Sequence, residues 1–252
     1  MQRLDILLVE RGLVDSRSRA QRLIKQGRVS ARLSGWQVQT KPGLKLPADT
    51  PLEVQPAPED QYVSRGALKL RHILEALTIN PQGLNAIDVG QSTGGFTDCL
   101  LQAGIAQVLG IEVGHDQLHP RLRDDERVTC LEGYNARALS PDLCRYARDA
   151  SGFDLAVMDV SFISQTLIIP SLSQLIRPGG WLLTLVKPQF EVGPAHISKG
   201  GLVKDERLYR SVRDSVEQCC IDQGLTPLYW DESPIRGGDG NREFLLGARR
   251  AE

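Results

Sequence analysis

From residue 64 onward, short apolar runs that end in charged residues alternate with amphipathic segments, and this alternation is the strongest constraint on the fold. Strand followed by helix, repeated, calls for a mainly parallel sheet covered on both faces. The spacing predicts strands over 85–89, 107–112, 128–132, 155–159, 180–186, 225–232 and 243–249, with helices over 66–77, 95–103, 116–122, 164–176 and 205–223. In the first of these helices Leu70, Ile73, Leu74 and Leu77 share one side, with Lys69 beside them. The expected fold class is α/β: a doubly wound sheet of seven strands, mainly parallel, with an antiparallel last strand. Open sheets of this type bind ligands outside the carboxyl ends of their strands.

Several residues suited to ligand chemistry fall at those ends. The turn after the first strand, IDVGQSTGGFTD at 87–98, is Gly-rich and opens a helix whose amide groups attract a carboxylate. Asp88, Gly90, Ser92, Thr93, Gly94, Gly95, Phe96 and Thr97 are its candidate ligand contacts. A Walker-type phosphate loop would need Gly-Lys-Ser/Thr where this chain has Gly94-Gly95-Phe96-Thr97. The glycines match dinucleotide spacing only loosely. About 20 residues further on, Glu112 is placed to accept hydrogen bonds from both ribose hydroxyls of an adenosine; the bland reading is a solvated strand end.

The apolar run LAVMDVSFIS delivers Asp159, where a carboxylate is costly unless paired or hydrogen-bonded. The run LLTLVKPQFE delivers Lys187, with Pro188 stopping the strand behind it. Asp159 and Lys187 stand at the same level of neighbouring strands, and with Lys69 and Glu243 they make two amines and two acids turned toward the ligand crevice. Glu191 is a rival carboxylate, ranked lower.

The first 46 residues carry ten Lys/Arg against three Asp/Glu, a net +7, while the remainder carries 20 against 28, a net −8. A cationic module on an acidic body suits attraction of a phosphate backbone on one side, although a solvated helical surface has the same composition. Residues 3–12 read as a short helix ended by Gly12; Ser16 caps a second helix carrying Ala20, Leu23 and Ile24; strand-like segments follow at 29–33, 36–38 and 52–54. PAPEDQ, 56–61, reads as a linker, which divides the chain into modules 1–58 and 64–252 joined by 59–63. Five cysteines without metal-ligand spacing read as reduced thiols in a cytoplasm. Charges at positions 3, 5, 10 and 11 interrupt any signal-peptide core, and no apolar stretch reaches the ~20 residues needed to cross a bilayer. His115 and His119 share helical spacing without a third ligand in range, so no metal is expected. The tract 198–210 could clamp RNA through Lys199 and Lys204, or form a loop that Asp205 caps into the next helix.

The segment LDILLVERGLVDSRSRAQRLIKQGRV, followed by KPGLKL, resembles the small α+β RNA-binding domain of the ribosomal protein S-four type; ARLSGWQV departs from its usual hairpin. Arg3, Arg17, Arg19, Arg22, Lys25, Arg28, Lys41 and Arg65 are the candidate RNA contacts. Further on, SRGALKL, DVGQSTGGFTDCLLQAG, MDVSFIS, LVKPQFE, SKGGLVKD and GNREFLL resemble, in order, the TlyA family of hemolysin-named proteins and ribosomal RNA 2′-O-methyltransferases, whose catalytic domain is related to the FtsJ type. The resemblance implies a class I (Rossmann-like) methyltransferase fold, S-adenosyl-L-methionine as cofactor, and ribosomal RNA or ribosomal subunits as partner, with no integral membrane contact. It places the family's catalytic Lys-Asp-Lys-Glu set on Lys69, Asp159, Lys187 and Glu243. Departures fall at Gln91, Glu112 and EGYNAR, 132–137.

The implied reaction is methylation of a ribose 2′-hydroxyl, expected to be that of a cytidine. A hydroxyl is a poor nucleophile until its proton has somewhere to go, so the site must align the reacting atoms and supply an acceptor. Lys187 is the candidate acceptor, Lys69 gives electrostatic support, Asp159 positions on the cofactor side, and Glu243 holds Lys187 or the target ribose. Two other functions stay open: a membrane-active hemolysin, for which the chain offers no apolar span, and a non-catalytic RNA-binding protein on a methyltransferase scaffold.

Overall fold

A computed structural model of the chain describes residues 1–14, 16–56, 61–237 and 240–252. Packing divides it into two bodies, Met1–Gln61 and Tyr62–Glu252. Residues 59 and 60 of the expected linker lie outside the described residues. Tyr62 and Val63 belong to the second body: both pack on its core, and the Val63 amide donates to Asp98 Oδ2 at 2.8 Å. An aromatic and a branched apolar side chain find more buried surface there than a solvated linker would give them.

In the first body, β1 (Gln2–Arg3) leads into α1 (Leu4–Glu10) and α2 (Arg17–Lys25), followed by β2 (Val29–Arg32), β3 (Trp36–Gln39), β4 (Lys45–Leu46) and β5 (Leu52–Val54). The Ser16 hydroxyl caps α2 by accepting from the Arg19 amide at 3.3 Å. Leu4, Leu7 and Leu8 of α1 meet Ala20, Leu23 and Ile24 of α2 in a small core against β2. The sheet order is β3-β2-β5, all antiparallel, and β1 pairs with β4 separately. The two-residue strands β1 and β4 are too short to show any period in the sequence.

The second body contains α3 (Gly66–Ala76), β6 (Asn85–Val89), α4 (Gly95–Gln102), β7 (Gln107–Ile111), α5 (Pro120–Arg123), β8 (Val128–Leu131), β9 (Phe153–Met158), α6 (Ile169–Ser173), β10 (Ile176–Val186), α7 (Leu208–Asp222), β11 (Leu225–Glu232) and β12 (Phe244–Arg250). The sheet order is β11-β12-β10-β9-β6-β7-β8; β8 to β10 pair in parallel and β12 runs antiparallel between β10 and β11. Strand period assigns the two faces. Leu155 and Val157 of β9 join α3 and α4, whereas Ala156 and Met158 join α6 and α7. The strand order reverses between β6 and β9, which makes their carboxyl ends the switch point where such sheets open a crevice.

Several boundaries differ from expectation. The helix expected over 116–122 is only Pro120–Arg123, because Asp116 adopts a left-handed φ of 56° and proline then starts the helical turn. The helix expected over 164–176 breaks into a tight turn, Gln165–Leu167, and α6, with Pro170 in the first turn of α6. β10 begins at Ile176, before the Pro178-Gly179 pair, and is bulged against β9 between Ile176 and Trp181. The strands containing Asp159, Glu112 and Glu243 stop short of those residues, so each carboxylate sits on the first residue beyond regular pairing.

Candidate active site

The register of the sheet brings three of the four ionisable residues to one edge, and α3 adds the fourth. Val186 is paired with Phe244, so Lys187, just after β10, stands level with Glu243, just before the antiparallel β12. Met158 is paired with Val89, and the Asp159 amide donates to the Val89 carbonyl at 3.1 Å, so Asp159 stands beside Gly90. Lys69 comes from the second turn of α3. The four form two ion pairs. Lys69 Nζ donates to Glu243 Oε2 at 2.5 Å, with side chains 10% and 4% exposed. Lys187 Nζ lies 2.6 Å from Asp159 Oδ1, with side chains 13% and 24% exposed. Glu243 therefore pairs with Lys69, and the expectation that it holds Lys187 is corrected: the carboxylate nearest Lys187 is Asp159. Buried charge costs several kcal/mol unless compensated, which is why each amine has its own carboxylate.

Two cavities meet at Asp159. The larger, about 450 Å³, is lined by Gly90, Ser92, Ile111, Glu112, Val113, Asn135, Val160, Ser161 and Phe162 among others. The smaller, about 170 Å³, is lined by Ser64, Gly66, Thr93, Gly95, Phe96 and Lys187. Gly90, Ser92, Asp159 and Ser161 line both. The turn between β6 and α4 can form only with little side-chain bulk. Gly90 has φ +82°, and a Cβ there would come within 2.5 Å of the Asp159 carbonyl oxygen. Glu112 is fixed rather than solvated: its carboxylate accepts from the Ser92 and Gly114 amides, each at 2.8 Å. The larger cavity thus has branched apolar walls for a flat heterocycle and an oriented carboxylate for hydroxyl donors, within the size range of small-molecule sites.

Asp88, Gly94 and Thr97 line neither cavity. They support the turn from beneath. Gly94 gives up its Cβ space to Leu118 and Leu122, which such an atom would meet at 2.8 and 2.3 Å. Thr97 Oγ1 accepts from Gln91 Nε2 at 2.9 Å and donates to Asp88 Oδ2 at 2.7 Å. Burial pushes the Asp88 carboxyl up to about 7, opposed by the Thr97 hydroxyl and reinforced by the negative charge of Asp159.

Glu191 is held apart from the four: it accepts from Ser164 Oγ at 2.5 Å and from the Gln165 amide at 2.9 Å, and burial raises its pKa. Among the described residues no cluster could hold a metal ion, and His119 Nδ1 instead accepts from the Arg121 amide at the start of α5. The 198–210 tract closes as a loop through an Ile197–Val203 bridge, tied down by Asn241, which accepts from the Val203 amide and donates to the Gly201 carbonyl. Asp205 accepts from the Arg207 amide just before α7.

Of the basic candidates, Arg22, Lys25, Lys41 and Arg65 are exposed. Arg3 and Arg17 also serve the interior of the first body, since both donate to the fully buried Asp5, and Arg28 donates to the Gln55 carbonyl. Ser64, Gln91 and Ser161 are not among the residues expected from the sequence. They are small or neutral; Gln91 stands out only as a departure from the family's turn, and Ser64 and Ser161 lie unmarked within SRGALKL and MDVSFIS.

A seven-stranded sheet of this order, with a glycine turn and a charged switch point, defines a class I methyltransferase domain. The FtsJ-like methyltransferase family matches residues 62–250, and the S4 domain matches residues 2–31. YqxC of Bacillus subtilis is 43% identical over 97% of this chain and 84% of its own length. The 16S/23S rRNA (cytidine-2′-O)-methyltransferase TlyA of Mycobacterium tuberculosis is 39% identical over 98% of this chain and 89% of its own. A solved structure from Streptococcus thermophilus that carries the hemolysin name is 37% identical, with a TM-score of 0.75, covering 100% of this chain and 89% of that one. The chain belongs to the TlyA family of FtsJ-like methyltransferases, and the cofactor of this class is S-adenosylmethionine.

Proposed function

We propose that the protein methylates the 2′-hydroxyl of a ribose in ribosomal RNA, that of a cytidine as in the M. tuberculosis relative's name, that it acts in the cytoplasm, and that Lys187 accepts the hydroxyl proton. The observation that carries this is the position of Asp159, which borders both cavities and lies 2.6 Å from the Lys187 amine. S-adenosylmethionine, when bound, supplies a methyl group already activated by its sulfonium. Gly90, Ser92 and Glu112 are the residues suited to hold it in the larger cavity. The smaller cavity, walled by Ser64, Gly66 and Lys187, suits the target ribose.

The chain's own groups then have distinct roles. Lys187 borders the smaller cavity, where its amine can take a proton from a hydroxyl oxygen. Asp159 keeps that amine at the boundary between the two cavities. Lys69, neutralised by Glu243, sits behind them as a fixed dipole that needs no reorganisation during the reaction. The exposed cations of the first body, Arg22, Lys25 and Lys41, supply sequence-independent attraction to phosphates.

The test is transfer of labelled methyl from S-adenosylmethionine to ribosomal RNA by the full chain. Lys187→Ala is expected to lower the rate by about 10²–10⁴-fold, the usual contribution of a positioned acid or base, while calorimetry still registers cofactor binding. Transfer at the unsubstituted rate by Lys187→Ala would remove Lys187 from the mechanism.

A further inference from the structure

We propose that Ser161 is a positioning residue that aims the Lys187 amine at the target hydroxyl. The inference rests on the reading of Lys187 given above.

Lys187 Nζ has two close partners of different character. Asp159 Oδ1 is 2.6 Å away, yet this buried oxygen has no partner in hydrogen-bond geometry, so the carboxylate supplies charge without direction. Ser161 Oγ accepts a hydrogen bond from Nζ at 2.9 Å. A lysine amine on its four-carbon stem rotates freely, and a nearby point charge alone does not fix that rotation. One directed N–H bond does restrict it. While Ser161 Oγ accepts from one N–H, the lone pair left by loss of another proton lies elsewhere in the tetrahedron. Ser161 lines both cavities, so the amine is anchored where the target hydroxyl and the methyl donor would meet.

The anchor is itself braced. Phe162, the next residue, adopts φ +64°, a conformation that bulky side chains rarely hold. Its ring, although 89% exposed, touches that of Phe190 with centroids 5.1 Å apart, and Phe190 lies in the turn immediately after Lys187. Glu191, next in the chain, accepts from Ser164 and from the Gln165 amide on the Ser161 side. The two loops carrying Ser161 and Lys187 are thereby joined again beyond the hydrogen bond they share, at Phe162 with Phe190 and at Ser164 and Gln165 with Glu191. An accurately aimed amine depends on such support, since misplacement by about 1 Å can cost about 10²-fold in rate.

The experiment is single-turnover methylation of ribosomal RNA by the full chain with labelled S-adenosylmethionine, comparing Ser161→Ala, Ser161→Thr and Lys187→Ala. Ser161→Ala is expected to slow the chemical step about 10- to 100-fold, with KM for RNA and for S-adenosylmethionine unchanged. Ser161→Thr keeps the hydroxyl and is expected to restore most of the rate. If Ser161→Ala keeps the full rate while Lys187→Ala is inactive, the role of Ser161 is overturned and that of Lys187 stands. Equal losses in Ser161→Ala and Ser161→Thr also overturn it, because a hydroxyl at that position would then not matter. Full activity of Lys187→Ala overturns the underlying reading of Lys187 instead.

Discussion

Lys69 and Glu243 are 174 residues apart in sequence and 2.5 Å apart in space, almost fully enclosed. Removing one member leaves the other as an uncompensated buried charge. Lys69→Met should therefore cost about 3–5 kcal/mol of stability, and adding Glu243→Leu should recover part of the loss. Denaturant unfolding of the single and double variants measures this; an additive double variant would mean that the pair is not coupled. Asp88 makes a second residue-level prediction, with a sign set by its raised pKa. Its carboxyl titrates near 3.8 when unfolded and about 7 in place, so the neutral form is the one favoured by folding. That stabilisation is complete below pH 3.8 and is lost as pH rises through about 7. The stability of the unsubstituted protein relative to Asp88→Asn should accordingly fall as pH rises from 5 to 8, as read by unfolding at each pH. Asp159 and Lys187 were legible because each stands at the end of an apolar run, whereas Lys69 lies beside the apolar side of a helix and Glu243 precedes its run. Their pairing was not, since which amine meets which carboxylate depends on strand register and on the approach of α3.

Strand positions followed from the alternation of apolar runs, and β6, β11 and β5 begin and end as expected. Helix lengths were less legible: a left-handed Asp116 and the prolines at 120 and 170 override amphipathic spacing that continues past them. At this scale the turn between β6 and α4 carries the sharpest prediction. Gly90→Ala adds an atom 2.5 Å from the Asp159 carbonyl at a φ of +82°. It should weaken cofactor binding by the equivalent of about 1–3 kcal/mol, the usual cost of overpacking, and calorimetry with S-adenosylmethionine reads the change directly. Unaltered affinity would show that the turn is not close-packed on β9. In the first body, α1 and α2 are joined by Asp5, whose pKa is held well below the usual carboxylate range first by the Arg3 hydrogen bond, with Gln21 and Arg17 adding to it against burial. A lowered pKa means that this stabilisation is present above pH 3.8 and fades on acidification. Asp5→Ala should destabilise the first body by about 1.5–3 kcal/mol, the range for hydrogen bonds to charged groups.

Across the whole molecule, the sequence separates a +7 segment from a −8 remainder, and the structure separates two bodies at residues 61 and 62. Proline and charge mark the expected linker; the packing of Tyr62 and Val63 on the second body's core cannot be read from them, because it depends on α4 and α3. Among the described residues no helix is long and apolar enough to cross a membrane. RNA attraction should follow the exposed cations. Replacing Arg22, Lys25 and Lys41 together by alanine should weaken ribosomal RNA binding and reduce the slope of log affinity against log salt by about 2–3, at roughly 0.7–0.9 for each phosphate no longer neutralised. An unchanged slope would mean that these residues do not meet phosphates.

The most direct measurement is a map of alkali-resistant, 2′-O-methylated positions in ribosomal RNA incubated with S-adenosylmethionine and either the unsubstituted protein or Lys187→Ala. Discrete methylated riboses are expected with the former and none above background with the latter, although both bind the cofactor. Absence of any methylated ribose with the unsubstituted protein would contradict ribose methylation, and an identical map from Lys187→Ala would contradict proton transfer to Lys187.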